Sequence, residues 1–184
     1  NLRKDIKKKF KNLDTSGISV SLNVLDKPEE MSNGVKIYGD IESRGWKGDQ
    51  ESAVHIDNIR GKFYEKMLNS FAMQDNAKIY QLFFNERIAA SAFSITGNNM
   101  EILLKITYDE ELAYLSPGLI MMYKIHKMIF DSQQVNCIEY YGKATERQQQ
   151  WSEDLRTIYH INYYSHPVLK RIRHQLKATS SVFK

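Results

Sequence analysis

Three strand-like runs follow one another with almost no chain between them: 78–84 (KIYQLFF), 88–95 (IAASAFSI) and 100–108 (MEILLKITY). Their connections, Asn85-Glu86-Arg87 and Gly97-Asn98-Asn99, are too short for anything but hairpins. The runs therefore predict an antiparallel meander. Helical spacing then extends from Pro117 to about Asp131, with Leu119, Met122, Ile125 and Ile129 on one face, before a last apolar run at 135–141 (VNCIEYY). Strand, helix and strand make a crossover unit, so 100–108 and 135–141 are expected to be parallel. The predicted fold class is α/β (α+β), with a mixed sheet.

The flanking segments fit that frame. Residues 2–13 repeat apolar side chains (Leu2, Ile6, Phe10, Leu13) at helical spacing and stop at Asp14-Thr15-Ser16-Gly17. Residues 18–25 alternate as a strand with one face on a core. Asp26 is the expected cap of a helix with Pro28 in its first turn, running to about residue 43 and weakened by Gly34 and Gly39. A loop, Arg44-Gly45-Trp46-Lys47-Gly48-Asp49, precedes a helix at 58–73, where Phe63/Tyr64, Met67/Leu68 and Phe71 recur every four residues. After residue 141, a short helix at 145–153, a strand at about 156–163 and a basic helix after Pro167 are expected. Without repeats or a linker, residues 1–184 read as a single domain. The opening Asn, in place of Met, suggests a piece of a longer protein.

Composition excludes several classes. With 184 residues, 42% hydrophobic, the chain can bury a sizeable core. One cysteine rules out a disulfide framework and a multi-cysteine zinc site. His55, His126, His160, His166 and His174 lack metal-binding spacing, so no metal is expected. No apolar run approaches the roughly 20 residues that span a bilayer, which gives a soluble, cytoplasmic expectation. The net charge of +4 is local: residues 1–12 set six cations against Asp5, so the rest carries −1. That basic segment is either the solvated side of the first helix or a surface for phosphate or anionic lipid.

Sheets open ligand crevices where strand direction changes. Here the helix beginning at Pro117 follows the strand at that junction. Its first turn offers backbone N–H groups and a positive dipole end to an anion such as a diphosphate. Ser116 is the expected N-cap, and Gly118 would let a phosphate approach the backbone.

At these residues the sequence resembles the GNAT-type acyltransferase superfamily, in its CelD/BcsL-like, FemAB-related branch. The resemblance rests on Gly45-Trp46-Lys47-Gly48, Phe63-Tyr64, Lys105-Ile106-Thr107-Tyr108-Asp109-Glu110, Ser116-Pro117-Gly118 and Trp151, taken in order. It covers about residues 3–160 and is similar to the C-terminal half of a two-repeat protein. It implies acetyl-CoA or another acyl-CoA as co-substrate, and a role in bacterial polysaccharide or cell-envelope biosynthesis. Leu104, Lys105, Ile106, Ser116, Pro117 and Gly118 would bind the cofactor; Trp46, Lys47, Tyr141 and Arg147 would touch the acceptor. The glycine-rich pyrophosphate loop usual in the superfamily is replaced by Ser116-Pro117-Gly118. The Gly-x-x-x-Tyr-Lys ending becomes Gly142 followed by Glu146 and Arg147.

Acyl transfer needs a base for the acceptor's proton, donors for the oxyanion and an acid for the leaving thiolate. Asp109 or Glu110 is the candidate base, with capping of an exposed loop as the other reading. Tyr108, Tyr140 and Tyr141 are candidate acids or half-buried packing residues. Lys105 lies in an apolar run, where it would pair with Asp109, Glu101 or Glu139, or touch a substrate carboxylate. Trp46 and Lys47 either hold a sugar-like acceptor or anchor their loop. Trp151 reads as a core plug, and Cys137 as a buried thiol without a base. Two rivals to acyl transfer from acyl-CoA stand. One is a FemAB-type transferase using aminoacyl-tRNA, whose phosphates the basic first helix would meet. The other is a binding domain that keeps the fold without chemistry. A homodimer, or a missing N-terminal half of a longer two-repeat protein, is also compatible with the sequence.

Overall fold

The computed structural model describes residues 2–45, 48, 53–142, 144–152, 154–157, 159 and 161, with the side chain of Arg147 outside that set. The chain divides into two units, residues 1–152 and 153–184. Among the described residues, the first holds α1 (Leu2–Thr15), β1 (Val20–Leu25), α2 (Pro28–Ser43), α3 (Ile59–Ala72), β2 (Ala77–Phe84), β3 (Arg87–Gly97), β4 (Met100–Tyr108), a 3₁₀ helix (Glu110–Leu115), α4 (Pro117–Ser132), β5 (Cys137–Tyr140) and α5 (Glu146–Gln149). In the second unit, the described residues 154–157, 159 and 161 carry no regular structure, and the rest of the strand expected at 156–163 lies outside the described residues. The helix expected after Pro167 lies outside the described residues.

The strands form one mixed sheet in the order β1-β2-β3-β4-β5. β1 to β4 are antiparallel neighbours and β5 is parallel to β4. Alternation along the strands divides the core into two layers. Tyr80, Leu82 and Ala92 pack with Leu13 of α1 and Ile120, Met121 and Ile125 of α4. Ile79 and Phe93 face Met31, Val35 and Tyr38 of α2 and Leu68 of α3. The glycines of α2 have a packing reason. A Cβ at Gly34 would lie 2.6 Å from Ile79 Cδ1, and one at Gly39 would lie 2.7 Å from His55 Cα. The helix is therefore seated closer to the sheet and to residue 55 than any side chain would allow.

Several local expectations are corrected. The cap of α2 is Lys27 rather than Asp26, and the Glu30 carboxylate closes the turn by accepting from the N–H groups of Asp26 and Lys27, both at 3.0 Å. Phe63 points away from the core and is exposed. β5 is a short edge strand, so Cys137 is exposed rather than buried.

β4 carries the feature that shapes the site. Phe93 pairs with Lys105 and Ser94 with Leu103, which leaves Leu104 as an extra residue, a β-bulge. β5 pairs with β4 only through Met100–Leu103, and the last bond is Tyr141 N–H to Leu103 O at 3.0 Å. Beyond the bulge the two strands part. Asp109 N–H donates to Ala89 O, so residues 105 and 107 also turn their backbone groups to β3. Ile106, one residue out of phase, turns its N–H and C=O toward the opening.

On the other side of the bulge, Glu101 is fully buried. It accepts from Tyr80 Oη (2.6 Å), Ser94 Oγ (2.5 Å), Lys78 Nζ (3.1 Å) and Thr96 Oγ1 (3.2 Å). These donors offset the cost of burying a carboxylate. Tyr80→Phe removes one of them from a dry site and should cost about 1.5–3 kcal/mol of stability by urea unfolding, with an unchanged m-value.

Candidate active site

The parting of β4 and β5 opens a cleft of about 330 Å³. Leu104, Lys105, Ile106 and Tyr108 form one wall, Tyr140 and Tyr141 the other, and Gly118, Leu119 and Met122 of α4 the floor. A second recess, of about 340 Å³, adjoins it through Tyr108, Gly118 and Leu119. It is lined by Ser116 and Pro117 together with Asp5 and Lys9 of α1. The fold thus brings together all six residues expected to hold a cofactor, with Tyr108 and Tyr141.

The start of α4 is built differently from the sequence expectation. Ser116 occupies the N-cap position in the left-handed region (φ 59°, ψ 50°) and its side chain makes no capping bond. Its backbone does the work of the turn: N–H donates to Ala113 O, and C=O accepts from Leu119 and Ile120 N–H. Pro117 has no N–H. Among the described residues, this leaves Gly118 N–H as the donor facing out of the first turn. A Cβ at Gly118 would meet only Tyr108 Cδ1, at 3.6 Å, so the approach to that N–H is open. Lys9 adds a positive charge that the sequence pattern did not single out.

The acidic cluster separates into different environments. Asp109 is buried; Arg87 donates to its Oδ2 from Nε (3.1 Å) and Nη2 (2.6 Å), and its Oδ1 caps Glu111 N–H at 3.1 Å. Arg87 also reaches Glu111 at 2.5 Å. Glu110 is exposed, and its carboxylate rests against the backbone of Gly45, so that a Cβ there would lie 2.5 Å from Oε1. Lys105 forms none of the ion pairs expected of it: Glu101 is held by Lys78 and Asp109 by Arg87. Its Nζ instead lies 5.9 Å from the centre of the Tyr64 ring.

Two further groups escaped the sequence reading. Glu42 is buried, with its carboxylate accepting from Tyr38 Oη (3.0 Å) and Val54 N–H (2.7 Å). Its signal was present, since Met31, Val35, Tyr38 and Glu42 form one helical stripe in which an acid takes an apolar position. His126 carries the other. Its Nδ1 donates to Met122 O, so Nε2 accepts from Tyr140 Oη, both at 2.5 Å. Trp151 stacks on the same imidazole with ring centres 4.7 Å apart. Trp151 is therefore part of the cleft wall, beyond the plug that was expected. Burial pushes the Tyr140 phenol up and the His126 imidazole down, the latter partly opposed by the Met122 carbonyl. Trp46 and Lys47 lie outside the described residues. Arg147 falls in α5. Among the described residues, no three His, Cys, Asp or Glu side chains converge as a metal site.

A mixed sheet that parts beside a helix N-terminus, with an open strand edge leading to it, is the architecture of an acyltransferase. Residues 1–149 match the model of the acetyltransferase (GNAT) domain family, and the chain belongs to that family. Among proteins of curated function, none matches it in sequence. Solved structures share the fold at low identity. An aminoglycoside acetyltransferase from an uncultured soil metagenomic sample, in complex with sisomicin, aligns with a TM-score of 0.54 at 8% identity, covering 80% of this chain and 97% of that one. A "possible acetyltransferase" from Clostridium difficile 630 gives 0.53 at 9%, with the same coverage. An integron cassette protein from V. cholerae gives 0.52 at 11%, covering 84% and 98%.

The His126 arrangement makes a pH-dependent stability. The folded protein binds that proton less readily than the unfolded chain, whose histidine has an ordinary value of 6.5. Stability should be whole above that value and fall as pH drops through it. Melting temperatures between pH 8 and 5 should show this loss, and His126→Phe should flatten it. Asp109→Asn should lower the melting temperature at neutral pH, because Arg87 loses the buried one of its two charged partners.

Proposed function

We propose that this domain transfers an acyl group, in the first instance acetyl, from acyl-CoA to an amine or hydroxyl by direct attack in a ternary complex. The observation that carries the reading is the cleft that holds both the open edge of β4 at Ile106 and Gly118, and that shares Tyr108, Gly118 and Leu119 with the second recess. Acetyl-CoA, when bound, supplies the thioester. An exposed strand edge pairs with an extended amide-bearing chain as it would with another strand, and Ile106 offers one N–H and one C=O for this. Leu104 and Lys105 shape the wall beside it. Gly118 N–H, the positive end of α4 and Lys9 together suit a diphosphate.

Glu110, which follows β4 and whose carboxylate lies against Gly45 after the end of α2, takes the base role. Asp109, committed to Arg87, fixes where β4 ends and so places its neighbour. Tyr108, where the two recesses meet, is the phenol placed to protonate a departing thiolate, since Tyr140 already donates to His126. Tyr141 borders the acceptor side. The roles of Trp46, Lys47 and Arg147 in acceptor contact rest on the family resemblance.

The proposed acceptor is a sugar, sugar nucleotide or cell-envelope precursor, in line with the CelD/BcsL-like resemblance. Structures sharing the fold were solved with sisomicin and with trehalose, which supports saccharide-sized acceptors. Among the described residues, no helix is long and apolar enough to cross a membrane.

Millimolar acetyl-CoA should raise the melting temperature by mass action. No shift with CoA, acetyl-CoA or longer acyl-CoA overturns the assignment. Gly118→Val should keep the far-ultraviolet circular dichroism and weaken CoA binding about tenfold or more. Glu110→Gln should lower turnover about 10²–10⁴-fold, followed by thiol release with amino-sugar acceptors, while leaving CoA affinity near wild type.

A further inference from the structure

We propose that Lys105 is the seat of a substrate carboxylate, so that one of the two substrates is an acid. The inference rests on the acyl-transfer reading and narrows its substrate class. Lys105 is half-buried in the wall of the cleft, immediately after the Leu104 bulge. An ammonium in such a position normally has a carboxylate partner. Here the neighbouring acids are engaged elsewhere. Glu101 is surrounded by Lys78 and three hydroxyls, and Asp109 is held by Arg87. Glu42 faces Tyr38 Oη and Val54 N–H. Glu139 aligns with Ile102, on the far side of the bulge, and makes its own interaction. Among the described residues, none forms an ion pair with Lys105.

What Lys105 does have is the face of Tyr64, and that contact is a weak offset for lost hydration. Its pairing with Phe93, which faces α2 and α3, puts the ammonium on that side of the sheet, where the Tyr64 and Phe93 rings lie 5.6 Å apart. In such surroundings an entering anion forms a charge-assisted hydrogen bond of the stronger kind, with little competition from water. The position also limits which part of a substrate is read. Lys105 adjoins Ile106, whose backbone borders the donor path, so the carboxylate must lie near the transferred group. Two sources share this chemistry: an acceptor bearing a carboxylate close to its amine or hydroxyl, and an acyl group that ends in a carboxylate.

Calorimetric titration separates the sources on the intact chain. In the donor arm, succinyl-CoA is compared with acetyl-CoA. In the acceptor arm, muramic acid is compared with glucosamine, and glycine with glycinamide, on protein with and without saturating CoA. The acidic member of at least one arm should bind about tenfold or more tightly than its neutral counterpart. Lys105→Met should bring that ratio close to one, and Lys105→Arg should keep its direction. Equal affinities in both arms, or a preference that survives Lys105→Met, overturn the proposal. Failure of CoA itself to bind overturns the acyl-transfer reading instead, and the titrations without CoA still decide the role of Lys105.

Discussion

The hydrogen-bond ladder between β4 and β5 ends at Leu103, and the rest of the site depends on that early ending. A parallel pair that continued would bury the edge of β4 and close the cleft. The bulge at Leu104 prevents it by bending β4 and reversing which residues face outward. Ile106 thereby gains an open backbone edge, while Lys105 and Thr107 turn theirs to β3. The sheet sacrifices ladder bonds at this point, and the buried Glu101 network anchors the half of β4 that remains paired.

The layers on either side of the sheet have unlike tasks. α1 and α4 cover one face and bring Lys9 beside Gly118. α2 and α3 cover the other, with the buried Glu42 and the Tyr64 ring on that side. Burial of Tyr64, with Tyr141 and Glu42 in electrostatic reach, raises its phenol above the ordinary tyrosine value. One ammonium thus lies on each side of the sheet: Lys9, with Asp5, in the recess at the start of α4, and Lys105 over the Tyr64 ring.

Much of the fold was legible because its signals are local. Strand-like runs with connections too short for anything but hairpins specify the meander, and Pro117 marks the start of α4 to the residue. The crossover to a parallel β5 also followed from element order. What escaped was pairing and partner choice. Nothing local tells Asp109 that Arg87, across a hairpin, will claim it, or that Lys105 will lie over Tyr64 and not beside Glu101. The bulge is equally silent, since MEILLKITY reads as a regular strand until its register with β3 is known. Glu42 and Lys9 were visible as exceptions within their helices, an acid in an apolar stripe and one lysine among several, but their significance depends on which element each faces.

β5 has consequences for how the molecule breathes. It is four residues long and bonded to a neighbour on one side only, whereas β2 and β3 are bonded on both. Local opening costs least where few contacts must be broken, and it proceeds in cooperative blocks. The outer wall of the cleft is therefore the block that detaches most readily, while the inner wall belongs to the part that opens only with global unfolding. Amide exchange should rank the two walls accordingly.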